Sequence, residues 1–398
     1  MSAPGPPSTA QASRRWVLAA GGSSALITAA SPALADAPIA QAPSGVALFV
    51  GRTLRGPVGV ATPCHGFAEF TAAFGGADAQ SELAVSVRLF FANGGTRALV
   101  LGLPVPDGQA YAAAWQAADA AKAAFDLLVL PRDAAIDPAT RRGLWAPASV
   151  WCARRRAFLI MDPPDDWTDP PSVLAPVGGV EALRAGMARD HAAVFYPRLR
   201  IAARAGGQAV GPAGAVAGLM ARTDAAKGVW KAPAGTTADL RGVTGVERNL
   251  TTAEAGQLNA QGVNPIRPFP QGLLSWGSRT LDGADSLGSD YKYIPVRRTA
   301  LIIEQSLYQG LQWVVFEPNG PALWAKLRND VGGFLQALFQ QGAFQGKTPK
   351  EAYFVACDAN TTTQVDIDNG VVNLVIGFAP LRPAEFVILS FQFLAAQA

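Results

Sequence analysis

Residues 81–101 read SELAVSVRLFFANGGTRALVL, and this stretch sets the fold class. Leu83, Val87, Phe90 and Phe91 recur at helical spacing, so a helix over 81–92 has one apolar face. Asn93, Gly94 and Gly95 stop it, because they adopt the backbone conformations that end a helix, and Ala98–Leu101 then reads as a buried strand. Upstream, VALFV at Val46–Val50 follows the turn Pro43, Ser44, Gly45, and Gly51, Gly56 and Pro57 turn the chain again. Strand, helix, strand is the pattern of an α/β layer.

Working outward, the alternation continues with a helix near 111–124, a strand Asp126–Leu130 ending at Pro131, and a strand Ala157–Met161 closed by Pro163 and Pro164. Short apolar strands separated by helices predict a partly parallel sheet covered on both faces. Residues 203–248, including GPAGAVAGLMARTD and KGVWKAPAG, are rich in glycine and alanine and read as long loops with one short helix, the expected hinge between domains.

The last third of the chain has a different rhythm. A helix around 299–310 leads to an expected strand Gln312–Phe316, a turn at Pro318, Asn319 and Gly320, and a long helix opening at Pro321. In that helix Leu323, Leu327, Val331, Phe334 and Leu338 form one apolar stripe, Lys326, Arg328, Asp330 and Gln336 lie on other faces, and Gly342 stands at the end. Strands follow at Ala352–Ala356, Val371–Phe378 and Glu385–Phe393, which makes an α+β domain. With 398 residues the chain accommodates about two cores. The expected divisions are a leader or arm at 1–43, an α/β domain at 44–262 and an α+β domain at 263–398.

Hydrophobic residues make up 49% and charged residues 16% of the chain, apolar for a monomer that covers its own surface. Burial against other chains explains this; so does a high alanine content, which adds apolar residues with little adhesive surface. The net charge is +3 and the basic residues fall in short groups such as Arg154, Arg155 and Arg156, so nucleic acid is not an implied partner. Three separated cysteines, Cys64, Cys152 and Cys357, form neither a disulfide framework nor a CxxC pair.

The N-terminus supports two readings. Ser13, Arg14, Arg15, Trp16, Val17 and Leu18 form a twin-arginine-like motif, an apolar run extends to Ala30, and Ala33, Leu34, Ala35 resemble a cleavage site, so residues 13–35 read as an export signal. Alternatively this is a leader that orders nothing, since its first ten residues hold three prolines, two serines and a glycine. The run is too short and polar for stable membrane insertion, which needs about 20 apolar residues.

Motifs for chemistry fail on inspection. His65 and His191 are too few and too distant for an imidazole metal site. Gly342 to Thr348 (GAFQGKT) has three residues between its glycines where a phosphate loop needs four, and it follows a helix. Asp366, Asp368, Asn369 and Gly370 imitate a calcium loop but lack its closing glutamate, and read as a hairpin turn. Asp165 and Asp166 are neighbours in a proline-rich loop, not facing carboxylates. No catalytic, cofactor or metal residue is expected.

Several blocks carry a family resemblance: Gly262-Val-Asn-Pro-Ile-Arg267, Gly272 to Leu281 (GLLSWGSRTL), Tyr293-Ile-Pro-Val-Arg-Arg298, Gln312 to Asn319, Leu323-Trp324, Cys357-Asp358, and Pro380 to Phe386. Looser ones are Phe49-Val50-Gly51, FAEFTAAFGG from Phe67, FFANGGTRALVL from Phe90, Ala215–Asp224 and Gly228–Pro233. Together they resemble the contractile tail sheath proteins of phage tails, bacteriocins and injection systems, over nearly all of the chain from residue 43 onward. Upstream the likeness lapses, because Ser31 and Pro32 lead into Ala33 and Leu34 without the glycine, tyrosine and acids of the family's N-terminal arm.

The resemblance implies a non-enzymatic, multi-domain subunit, with an α/β outer domain and a C-terminal α+β domain, that polymerises as stacked hexameric rings around an inner tail tube. It also implies baseplate and tail terminator partners, a particle assembled in the cytoplasm, and arms that lend strands between copies. Phe386, Val387, Ile388, Leu389, Phe391 and Phe393 suit a donated strand, the alternative being an internal strand of their own domain. Lys326, Arg328 and Asp330 are the expected tube contact, or else a solvated face. The rival expectation, resting on the leader, is an exported binding or adhesion protein of the same fold.

Overall fold

The computed structural model describes residues 14–18, 37–202, 209–315 and 317–383. A first strand, β1 (Arg14–Leu18), belongs to a small sheet described below. The larger unit opens with β2 (Val46–Arg52), β3 (Thr62–Cys64), α1 (Phe67–Phe74), α2 (Leu83–Ala92), β4 (Arg97–Leu103), α3 (Gly108–Ala120), β5 (Leu127–Val129), α4 (Pro138–Arg155) and β6 (Phe158–Met161). Short helices α5 (Pro170–Val173) and α6 (Val180–Leu183) lead to β7 (Ala192–Tyr196) and to the two-residue strands β8 (Leu199–Arg200) and β9 (Ala209–Val210). Then come α7 (Ala213–Lys227), β10 (Gly245–Val246), α8 (Thr252–Ala260), β11 (Val263–Phe269) and β12 (Gly272–Ser275).

Eight of these strands form one sheet in the order β12-β11-β7-β6-β5-β2-β4-β3. Neighbours from β11 to β4 run parallel, and the edge strands β12 and β3 are antiparallel. Alternation along β2 explains the two layers: Ala47 and Phe49 pack with α1, α2 and α7, whereas Val46, Leu48 and Val50 pack with α3, α4 and α8. Because both faces are covered, Val46 to Gly51 are buried without a polar break. Asn93 ends α2 as expected, with its amide Nδ2 donating to Leu89 O at 2.8 Å and to Arg241 O at 3.0 Å.

The glycine-rich region is a correction to the sequence reading. Instead of a hinge, it contains the 15-residue helix α7, whose residues Ala213 to Ala221 are all buried against α2 and the sheet. A Cβ on Gly214 would stand 2.3 Å from Ser86 O, and one on Gly218 would stand 2.2 Å from Phe90 O. These glycines let two helix backbones touch, a role that composition does not distinguish from loop formation.

The C-terminal unit consists of α9 (Ile294–Gly310), α10 (Pro321–Gln340), α11 (Pro349–Ala352), β13 (Tyr353–Ala356), α12 (Gln364–Asp368) and β14 (Val372–Phe378). Its sheet has the order β1-β14-β13, and the expected stripe of α10 packs on it with Val372, Leu374 and Ile376. Two local expectations fail. Gln312–Val314 is a 3-10 turn, not a strand, and its buried Trp313 joins the cluster of Ile303 and Leu307 on α9 with Leu323 and Leu327 on α10 instead of pairing with a strand among the described residues; Phe316 lies outside those residues. The expected hairpin turn at 366–370 begins inside α12, where Thr363 Oγ1 accepts from Asp366 N at 3.2 Å and Asp366 Oδ2 accepts from Thr363 N at 2.8 Å. This capping box was legible as Thr-x-x-Asp.

The large sheet also takes in β11 and β12, past the expected division at 262/263, since Val263 pairs with Val194 and Ile266 with Ser275. Helix α9 belongs to both cores: Ile294 and Leu301 join the large one, Ile303 and Leu307 the smaller. Among the described residues no helix is long and apolar enough to cross a membrane.

Candidate functional site

Two features of the structure bear on assembly, a sheet edge that takes a strand and a joint where the two cores share a helix. At the edge, β14 is the middle strand of three. It pairs on one side with β13, from Tyr353↔Phe378 to Ala356↔Val375, and on the other with β1, from Arg14↔Ile376 to Leu18↔Val372. Both pairings are antiparallel. The export-like motif thus forms a strand against the C-terminal unit, far along the chain from its own position. Nothing in the local sequence signalled this, because the partner strand is more than 350 residues away. Phe386, Val387, Ile388, Leu389, Phe391 and Phe393 lie outside the described residues.

At the joint, the Tyr293–Arg298 block sends two arginines into the interior. Arg298 Nη1 and Nη2 donate to the two carboxylate oxygens of Asp224 on α7 at 2.8 and 2.6 Å, and Nη2 also reaches Asp126 Oδ2 at 2.8 Å. Burial disfavours the charged guanidinium, but Asp224 and Asp126 outweigh it and raise the Arg298 pKa. Asp126 Oδ1 in turn accepts from Val46 N at 2.7 Å, so α9, α7 and the first strand of the large sheet are tied at one point. Arg297 lies with its guanidinium 4.5 Å over Tyr291, 2.6 Å from His191 Nε2 and 3.2 Å from Asp190 Oδ2. His191 is therefore a buried structural residue, and His65, bonded to Glu69 at 3.3 Å, is exposed.

The Gly262–Arg267 block supports the same joint. Asn264 Nδ2 donates to Val194 O at 3.0 Å and Arg279 O at 2.7 Å, while its Oδ1 accepts from Arg279 N at 2.6 Å. Gly277 passes so close that a Cβ would stand 2.8 Å from Asn264 Cα. The Gly262–Arg267, Gly272–Leu281, Tyr293–Arg298 and Ala215–Asp224 blocks thus supply the hydrogen bonds and ion pairs of this framework.

At the C-terminal ends of the parallel strands, where α/β sheets often bind ligands, ion pairs fill the space. Asp165 accepts from Arg132 Nε at 3.1 Å, Arg141 Nη1 at 3.0 Å and Arg198. Burial would raise its carboxyl, but the Arg141, Arg198 and Arg132 guanidinium groups outweigh that and hold it below the usual carboxylate range. Asp166 turns away to Arg142 at 2.7 Å, so the two neighbours do not face each other. Sequence reading named the aspartates but missed their arginines, which arrive from three other segments.

The expected tube-contact residues are placed as follows. Lys326 Nζ lies 3.3 Å from Asp330 Oδ2 and 5.1 Å over the Trp313 ring, while Arg328 Nη1 donates to Cys357 O behind β13. Arg328 is thus engaged in its own fold, and Lys326 and Asp330 form a half-buried pair. All three cysteines are buried as free thiols, with burial pushing Cys64 and Cys357 up to about 11. Among the described residues no group of three or more His, Cys, Asp or Glu could hold a metal.

Comparison with known proteins agrees with this architecture. Residues 105–281 match the family description "Phage tail sheath protein central domain", and residues 286–394 match "Phage tail sheath C-terminal domain". The tail sheath protein of Burkholderia phage BcepMu is 34% identical over 137 residues, covering 33% of this chain and 28% of that protein. That of Vibrio phage KVP40 is 25% identical over 181 residues, 45% of this chain and 26% of that protein, so the matched stretches span only about a quarter of these curated relatives. Among solved structures, the helical sheath of the anti-feeding prophage in its contracted state has a TM-score of 0.75 and 30% identity, covering 94% of this chain and 99% of that one. The sheath of an extracellular contractile injection system, also contracted, has a TM-score of 0.72 and 26% identity over 94% of this chain and 96% of that one. With both sheath domains matched in order and a whole-length relative of this similarity, the chain belongs to the phage tail sheath family.

Proposed function

We propose that this protein is a mechanical subunit that polymerises around an inner tail tube and shortens to drive the tube through a target envelope. The observation that carries the reading is the edge of β14 that accepts β1 in addition to β13. A strand taken there from a neighbouring copy would make the same main-chain hydrogen bonds, each contributing about 0.5–1.5 kcal/mol net. Such links survive rigid-body rotation of the units they join, which is what a contracting polymer requires. The contracted state of two similar solved sheaths supports the motion, and a sixfold baseplate structure of a similar chain supports stacked rings.

In this reading the N-terminal segment is retained as an arm instead of being cleaved for export, and the chain performs no catalysis. The segment containing Phe386 to Phe393 provides a second arm, and the Lys326–Asp330 side of α10 faces the tube, beside baseplate and terminator contacts at the two ends. Assembly takes place in the cytoplasm. Negative-stain microscopy of the full chain with its tube protein tests this: hollow cylinders are expected, and a dispersed monomer at every concentration and buffer would overturn it. Removing residues 387–398 should leave folded subunits that form no cylinder.

A further inference from the structure

The segment Ala42–Val46, the turn after α3, the last turn of α4 and one face of α9 enclose a recess of about 520 Å3. Its rim is cationic. Arg155 is turned onto Asp119 at 3.0 Å, and Arg156 lies 4.3 Å over the Tyr308 ring. Lys122 and Arg154, however, are exposed and make no ion pair among the described residues. The lining carboxylate, Asp126, is occupied by Arg298 at 2.8 Å. Beneath the charges, Ala123 and Ile302 give the recess an apolar floor. Such a site takes a carboxylate beside an aliphatic side chain.

We propose that the recess receives helix α12 of a second copy of this chain. This helix presents that pair of features: Asp366 and Asp368 lie within one turn, and Val365 beside them is 67% exposed. Asp368 is bonded only to Gln364 of its own helix among the described residues, at 2.8 Å, whereas the exposed Asp285 is already held by Arg279 and Lys292. Seating α12 puts Val365 on the apolar floor and Asp368 between Lys122 and Arg154. The contact joins the large unit of one copy to the small unit of the next, and so complements the strand exchange at β14. It rests on the polymer reading, because a pairing this small gains strength from repetition along an array.

Charge reversal tests it in the full chain. Lys122→Glu/Arg154→Glu is expected to raise the concentration needed for polymerisation about tenfold and to alter its salt dependence, Asp368→Lys to do the same, and the triple variant to return near the wild-type value. All three change exposed side chains, so thermal melting should stay at the wild-type temperature. A second measurement does not depend on sheath formation: Arg154→Cys and Asp368→Cys chains, mixed at high concentration, should cross-link between copies with a short bis-maleimide, the native thiols being buried. Polymerisation unchanged by either reversal, failure of the triple variant to recover, or absence of the cross-link would overturn the proposal. If the wild-type chain forms no polymer yet the cross-link appears, the contact stands and the sheath reading falls.

Discussion

Removing Arg298 is the sharpest probe of the joint between the two cores. In Arg298→Met the carboxylates of Asp224 and Asp126, with side chains 3% and 13% exposed, lose the cation that neutralises them. Breaking a buried ion pair from one side costs about 3–5 kcal/mol, since the surviving charge stays desolvated. At about 2 °C per kcal/mol for a unit of this size, melting should fall by about 6–10 °C at pH 7. The pH dependence separates this cause from lost packing. Burial already raises the Asp224 pKa in the native protein, against the pull of Arg298, and without Arg298 it rises further. A carboxyl with a raised folded pKa favours folding below its unfolded pKa, and that contribution is lost as pH climbs through the folded value. The variant's deficit should therefore be smallest near pH 4 and full at neutral pH, and Asp224→Asn in the same chain should recover most of it. Circular dichroism melts at concentrations that keep the chain monomeric provide the measurement. A drop of less than about 2 °C at pH 7, or one independent of pH, would refute the argument.

Other outcomes follow from packing and from ion pairs. Gly218→Val drives a side chain into the α2 backbone and should cost about 1–3 kcal/mol in urea unfolding, whereas Gly332→Ala on α10, where a Cβ meets nothing within 4 Å, should be neutral or stabilising. Asp165, held below its ordinary range by three arginines, contributes stability that is present above about pH 4 and lost as pH falls through its folded pKa; Asp165→Asn should weaken the protein at pH 7 and flatten its acid unfolding curve. Thr363→Ala removes the cap of α12 and should cost about 1 kcal/mol, read as faster amide exchange at Asp366.

Much of the fold was legible because burial on both faces leaves a direct trace. VALFV, the helix over 81–92, the strand at 157–161 and the amphipathic α10 each follow from spacing alone, since a covered strand must be apolar throughout and a half-covered helix must be striped. The turn at Gln312–Val314 was misread because a short apolar run does not say whether a strand or another helix lies beside it. The region around α7 was read as a hinge because glycine serves a tight helix contact as well as it serves a loop.

The sequence by itself determined the alternation of elements, the absence of recognisable catalytic motifs and, through its ordered blocks, the family. It could not show that Arg298 meets Asp224 and Asp126, that three arginines gather on Asp165, or that Arg14–Leu18 lies beside Val372–Ile376. Each of these joins residues tens to hundreds of positions apart. Hydrophobic periodicity records only what a residue's own element buries; which charges meet inside, and which strand completes which edge, is fixed when the elements pack and every buried polar group must find a partner.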